Sequence, residues 1–71
     1  MPTISSKKLL KYLLKKGFYK HHQVGSHLVL KSLHEPTARV TIPMHNKDLK
    51  PGTLNSILNQ AGIDIKEIFK K

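Results

Sequence analysis

Two leucine-striped segments bracket three short apolar runs, and that order leaves few ways to build a core. In the first segment Leu9, Leu10, Leu13 and Leu14 share one side of a helical wheel, with Lys7, Lys8, Lys11 and Lys15 on the other. Ser5 or Ser6 can cap this helix, which runs through Lys16, and Gly17 suits its end. In the second segment, Thr53 to Ala61, the residues Leu54, Ile57, Leu58 and Ala61 repeat at i, i+3, i+4, i+7, and Gly62 stops the run. Between them Phe18–Val24, His27–Ser32 and Ala38–Ile42 read as strands. Gly25-Ser26 is a turn, Leu33 to Pro36 a loop, and Pro43 ends the third strand. Short links make the three strands an antiparallel meander. Asp64 and Glu67 have capping-box spacing ahead of a short last helix with Ile65, Ile68 and Phe69 inward.

A leucine stripe needs a partner layer, so both main helices belong on one face of the sheet, and the other face stays open. The expected fold is therefore α+β, in the order α-β-β-β-α with a short C-terminal helix, as one domain over residues 1–71. Double-stranded RNA-binding domains share that layout and read RNA by shape and phosphate contacts. A chain this short buries only roughly 60% of its unfolded surface, so any site must be open or completed by a partner.

Charge narrows the function further. Thirteen Lys and Arg oppose four Asp and Glu, for a net charge of +9. Such a surface collects phosphates. Only Arg39 is an arginine, which favours backbone attraction over direct reading of base edges. There is no cysteine, so disulfides, thiol chemistry and zinc knuckles are excluded. No apolar run is long enough to span a membrane, and the first ten residues lack a signal-peptide core, so the expected location is the cytoplasm. The lysine face of the first helix reads as solvated, as phosphate-contacting, or as membrane-surface; the stripe is short and lacks a tryptophan anchor.

The proton-transfer candidates are histidines, the side chains that titrate near neutral pH. His27 opens the second strand behind Gly25-Ser26, where glycine permits close backbone approach to a ligand and serine adds a hydroxyl. Alternation sends Leu28 and Leu30 to the core and His27 and Val29 to the open face. Val29 is then an exposed apolar anchor for a partner. His21 and His22, adjacent on a strand, are expected to project to opposite faces and not to share a metal. His34 falls in a loop. His45, just before the second helix, can reach a phosphate at that helix's N-terminus. There Lys47, Lys50 and the N–H groups around Gly52-Thr53 form a candidate phosphate clamp, with an ordinary solvated helix start as the other reading. No cluster with metal-ligand spacing occurs, so neither a metal nor another cofactor is expected.

In this setting several segments, in order, carry a resemblance. Gly25-Ser26-His27 enters a strand, and Val40-Thr41-Ile42-Pro43 closes the third strand. Lys50-Pro51-Gly52-Thr53-Leu54 then leads through Ser56-Ile57-Leu58 to Gln60-Ala61-Gly62. Nearly the whole chain, from the first helix to Gly62, resembles the HicA-type toxins of toxin–antitoxin pairs. The resemblance implies a double-stranded-RNA-binding-like fold, a ribonuclease that cuts messenger RNA, and a HicB-type antitoxin that masks the active site. It also implies that His27 is the catalytic histidine. Family members often carry a second histidine directly after it, where this chain has Leu28.

The resulting expectation is a metal-independent endoribonuclease. RNA supplies its own nucleophile, the 2′-OH, so the protein needs a base, an acid and charge stabilisation. His27 takes or gives a proton; water, His45 or a lysine are the open choices for the second group. Gly25, Ser26, His45, Lys47, Lys50, Gly52 and Thr53 are the expected RNA contacts. The alternative is a non-catalytic RNA-binding module of the same fold, which does not need His27.

Overall fold

The computed structural model describes residues 3–45 and 47–69. Met1, Pro2, Asn46, Lys70 and Lys71, which the 1–71 domain expectation includes, lie outside the described residues. The elements follow the expected order: α1 (Ser6–Lys15), β1 (Phe18–Val24), β2 (His27–Ser32), β3 (Arg39–Pro43), α2 (Pro51–Ala61) and α3 (Ile65–Ile68). The strands form one antiparallel sheet in the order β1-β2-β3.

Ser5 caps α1, its hydroxyl accepting the N–H of Lys8 at 3.2 Å. Leu9 and Leu13 are fully buried, while Leu10 is half-buried and Leu14 exposed, so the leucine stripe is narrower than the wheel suggests. Each buried leucine contributes about 1.5–3 kcal/mol. The chain leaves α1 through Gly17, whose φ is 96°. A Cβ there would sit 2.5 Å from the His34 ring, so the conformation favours glycine and any side chain would have to displace that ring. Leu33 donates its N–H to the Gly17 carbonyl at 2.8 Å, which locks the β2–β3 loop onto this exit.

Helix α2 begins at Pro51 rather than Thr53, because a proline at the first helical position has its φ already set and no N–H to satisfy. It ends at Gly62, in the left-handed region at φ 71°. Asp64 caps α3 by accepting the Lys66 N–H at 2.9 Å. Lys16 and Glu67 pair at 3.7 Å between the end of α1 and α3. Strand β3 is displaced by one residue at each end from the expected 38–42: Pro43 can close it because His27 is its only strand partner on this edge.

The core lies between the helices and one face of the sheet. Leu28, Leu30, Val40 and Ile42 meet Leu9, Leu13, Leu54, Ile57 and Leu58 there. Leu28 pairs with Ile42, and Leu30 with Val40. Ser6 is also fully buried, and its hydroxyl donates to the Pro43 carbonyl at 2.7 Å. That bond fastens the first turn of α1 to the end of β3. The N-terminal segment holds the approach to α2 in the same way, with Leu49 donating to Ile4 at 2.9 Å and Thr3 to the Asp48 carboxylate at 2.8 Å. No described helix is long and apolar enough to cross a membrane.

Candidate active site

Cross-strand register sets which side chains share the open face. Since Leu28 and Leu30 point to the helices, His27, Val29 and Lys31 point away from them. His27 lies between Val24 on β1 and Pro43 on β3, and it is exposed. Val24, 66% exposed, is the uncovered apolar neighbour on this face. Val29, expected to be an exposed anchor, is only 5% exposed. It lies on the open face of the central strand, with His22 and Thr41 directly opposite it on the two neighbouring strands. Leu28 is buried on the helix side, so a histidine at 28 would not lie beside His27 on this face.

Gly25 and Ser26 form the tight turn between β1 and β2. Gly25 has φ 58°, with open space where a Cβ would stand, and the Gln23 side chain donates to its carbonyl at 2.9 Å. The turn's contribution to the site runs through Ser26, whose carbonyl accepts the Met44 N–H at 2.6 Å. This bond ties the entry to β2 to the segment that leaves β3.

Beyond Pro43 that segment opens into a groove of about 600 Å³. Pro43, His45, Lys47, Asp48, Leu49, Lys50 and Thr53 line it. Four of the expected RNA contacts, His45, Lys47, Lys50 and Thr53, are therefore gathered in one place, and Pro43 joins them to His27. Lys50 occupies the cap of α2 but no side chain caps the helix, so its first N–H groups remain available to an anion. Gly52 lies in that first turn with open space around it, outside the groove lining. Gly25 stands apart at the hairpin tip. Asp48, the acidic residue of the groove, has its carboxylate engaged by Thr3.

The adjacent histidines correct the expectation of opposite faces. On β1, Lys20 pairs with Leu30 but His22 with Val29, so two residues advance on β1 for one on β2. This is a β-bulge with His21 as the extra residue. The bulge breaks the alternation and brings the two rings together, with Nδ1 of His21 2.7 Å from Nδ1 of His22. Their centroids are 4.9 Å apart, edge to face, and Tyr19 lies 6.4 Å from His21. Although His21 is exposed as a residue, its pKa is held below the ordinary histidine value. Partial loss of water around the ring is the main cause, followed by the charges of Lys31, His22 and Arg39. Tyr19, His21, His22, Lys31 and Arg39 thus share the helix-free face with His27, a grouping that reading the sequence did not assemble. Strand alternation would have placed Tyr19, Lys31 and Arg39 beside His27, but no local signal announces the bulge.

No strand carries an Asp or Glu, so the open face of the sheet presents lysine, arginine and ring side chains without a carboxylate among them. Among the described residues, no three His, Cys, Asp or Glu side chains are grouped to hold a metal ion. What the arrangement offers is an exposed imidazole, a cationic groove on one side of it, and a basic, ring-bearing sheet surface on the other.

A family model described as HicA toxin of bacterial toxin-antitoxin matches residues 6–63. That span runs from the first residue of α1 to just beyond α2 and includes the whole sheet. No curated protein matches the chain.

Proposed function

The chain belongs to the HicA toxins of bacterial toxin–antitoxin systems, and on that premise we propose that it is an endoribonuclease that cuts messenger RNA with His27 as a general acid or base. The observation that carries this reading is the position of His27. It is exposed on the helix-free face, and Pro43 links it to a groove lined by His45, Lys47, Lys50 and Thr53. The fold supplies the rest of the support. Helices on one face absorb the apolar residues, leaving an imidazole and cations where a phosphodiester can approach.

In this reading the 2′-OH of the RNA attacks its own phosphorus, and the leaving 5′-oxygen takes a proton. His27 serves one of these two proton transfers. Lys47 and Lys50, with the N–H groups of Gly52 and Thr53, hold a flanking phosphate or the charge that builds on the reacting one. Gly25 and Ser26 contact the RNA at the turn that leads into His27, where Gly25 leaves open space for its approach. The protein works as one domain in the cytoplasm, without a resident metal or other cofactor. Its partner is a HicB-type antitoxin that covers His27 and lays carboxylates on the lysines. Charge complementarity then makes association fast and salt-sensitive.

Cleavage of RNA by the purified wild type and by His27→Ala tests the reading. Loss of one positioned acid–base group lowers the rate by about 10²–10⁴-fold, or about 3–5 kcal/mol of barrier. RNA binding survives, and growth arrest in cells disappears with cleavage. Undiminished toxicity of His27→Ala would remove His27 from the mechanism. Binding without cleavage by the wild type would favour the non-catalytic module. For masking, antitoxin is titrated into a complex of RNA with the His27→Ala protein. Release of RNA supports a shared surface, whereas a stable three-way complex places inhibition elsewhere.

A further inference from the structure

The site needs two proton-transfer groups, and the bulge in β1 provides a second imidazole beside the first. His22 is paired with Val29, and Val29 is two residues along β2 from His27. His22 and His27 are therefore diagonal neighbours on the open face, both exposed. Such diagonal positions on paired strands lie about 7–8 Å apart, within reach of aromatic side chains. That gap admits one phosphodiester, with each ring within hydrogen-bond distance, about 2.6–3.2 Å, of a different oxygen.

The contact between His21 and His22 gives the second imidazole a defined chemistry. Two Nδ1 atoms 2.7 Å apart need one N–H between them. When His22 is the donor, its Nε2 carries a lone pair. The ring can then accept a proton on Nε2 while the Nδ1–H bond to His21 persists. A lysine ammonium has no such lone pair at neutral pH. His45 lies in the groove beyond Pro43, and among the described residues no side chain holds its ring as His21 holds that of His22.

We propose that His22, oriented by His21, is the second proton-transfer group of this site and acts with His27 across a single phosphodiester. The inference rests on the ribonuclease reading above. His22 Nε2 takes the proton of the 2′-OH as the O2′–P bond forms. His27 gives a proton to O5′ as the P–O5′ bond breaks. The products are a 2′,3′-cyclic phosphate and a 5′-hydroxyl; His22 ends holding the former 2′-OH proton, and the proton of His27 ends on the 5′-hydroxyl. Lys31 and Arg39, which pair with each other beyond His22 on the same face, add positive potential to the surface that the phosphodiester approaches. His21 is a positioning residue that acts through His22.

The experiment compares wild type, His22→Ala and His27→Ala on a short RNA and on the same RNA with sulfur replacing the 5′-bridging oxygen. A thiolate leaves without a proton, so the sulfur substrate needs only the base. On normal RNA both variants should fall by about 10²–10⁴-fold, with RNA binding and circular dichroism unchanged. On the sulfur substrate His27→Ala should recover most of its rate, and His22→Ala should not. His21→Ala should lower kcat with KM unchanged, and His21→Asn, whose amide can still meet Nδ1 of His22, should retain more activity than His21→Ala. Wild-type rates in His22→Ala, or sulfur rescue of His22→Ala in place of His27→Ala, would overturn the assignment while leaving the ribonuclease reading intact. No cleavage by the wild type, or full cleavage by His27→Ala, would overturn that reading and this proposal with it.

Discussion

The two faces of strand β2 show how a small chain separates folding from chemistry. Toward the helices it presents Leu28 and Leu30, both buried and paired with Ile42 and Val40. Away from them it presents His27, Val29 and Lys31, of which only Val29 is buried. Period-two alternation gives one strand two independent jobs. Side chains on the helix face are held by packing. Those on the open face are free to change charge, because little of the core depends on them. A substitution should therefore disturb stability or activity according to the parity of its position.

The largest effect expected on the open face comes from the substrate. Replacing the 2′-OH with hydrogen at the cut site should abolish cleavage, and chelation by excess EDTA should not. Mass spectrometry of the products should find 2′,3′-cyclic phosphate ends. Inactivation by EDTA with recovery on adding magnesium would instead point to a metal-activated water. Next comes the helix face, where Leu30→Ala should cost about 2–5 kcal/mol in a denaturant titration. For a domain of this size each kcal/mol lowers Tm by about 4–8 °C. A Leu30→Ala protein as stable as wild type would undo the division between the faces.

A smaller loss is expected at the join between α1 and the sheet. Gly17→Ala meets both a left-handed φ and the His34 ring, and the conformational part alone is about 1–2 kcal/mol. A double variant with His34→Ala should regain the steric part and not the rest, as measured by the urea midpoint.

The smallest effect is a titration. The His21 ring should titrate by NMR below 6.5, and Lys31→Ala should raise its midpoint. The sign for stability follows from linkage. A histidine whose folded pKa is lowered binds protons more readily in the unfolded chain. Its contribution is present above the unfolded pKa and is lost as pH falls through the folded one. An unshifted His21 midpoint would mean the ring does not sit among these charges in solution.

Much of the helix-face architecture was legible in the sequence because it rests on periodicity. Leu9 and Leu13 on α1, Leu54, Ile57 and Leu58 on α2, and the alternation in β2 and β3 are each local patterns. The orientation of His27 was legible for the same reason, since it precedes Leu28 by one residue. The groove was legible only in part. His45, Lys47, Lys50 and Thr53 were visible as a basic helix start, but not that Pro43 would connect them to His27. That connection depends on strand register and on the bond between Ser26 and Met44.

The histidine pair mark the limit of the sequence. Alternation required His21 and His22 to diverge, and every residue in β1 is compatible with regular pairing. The bulge shows only in the register of β1 against β2, where Lys20 pairs with Leu30 and His22 with Val29. Val29 likewise shows that direction and exposure are separate. Its direction follows from its neighbours in sequence, but its burial belongs to a central-strand position with a strand paired on each side. By itself the sequence determined the elements, their order, the apolar faces and the excess of positive charge, because these depend on residues a few positions apart. The tertiary structure alone decided which distant side chains share a surface, because register, bulges and loop anchoring are settled between segments that the chain brings together only when folded.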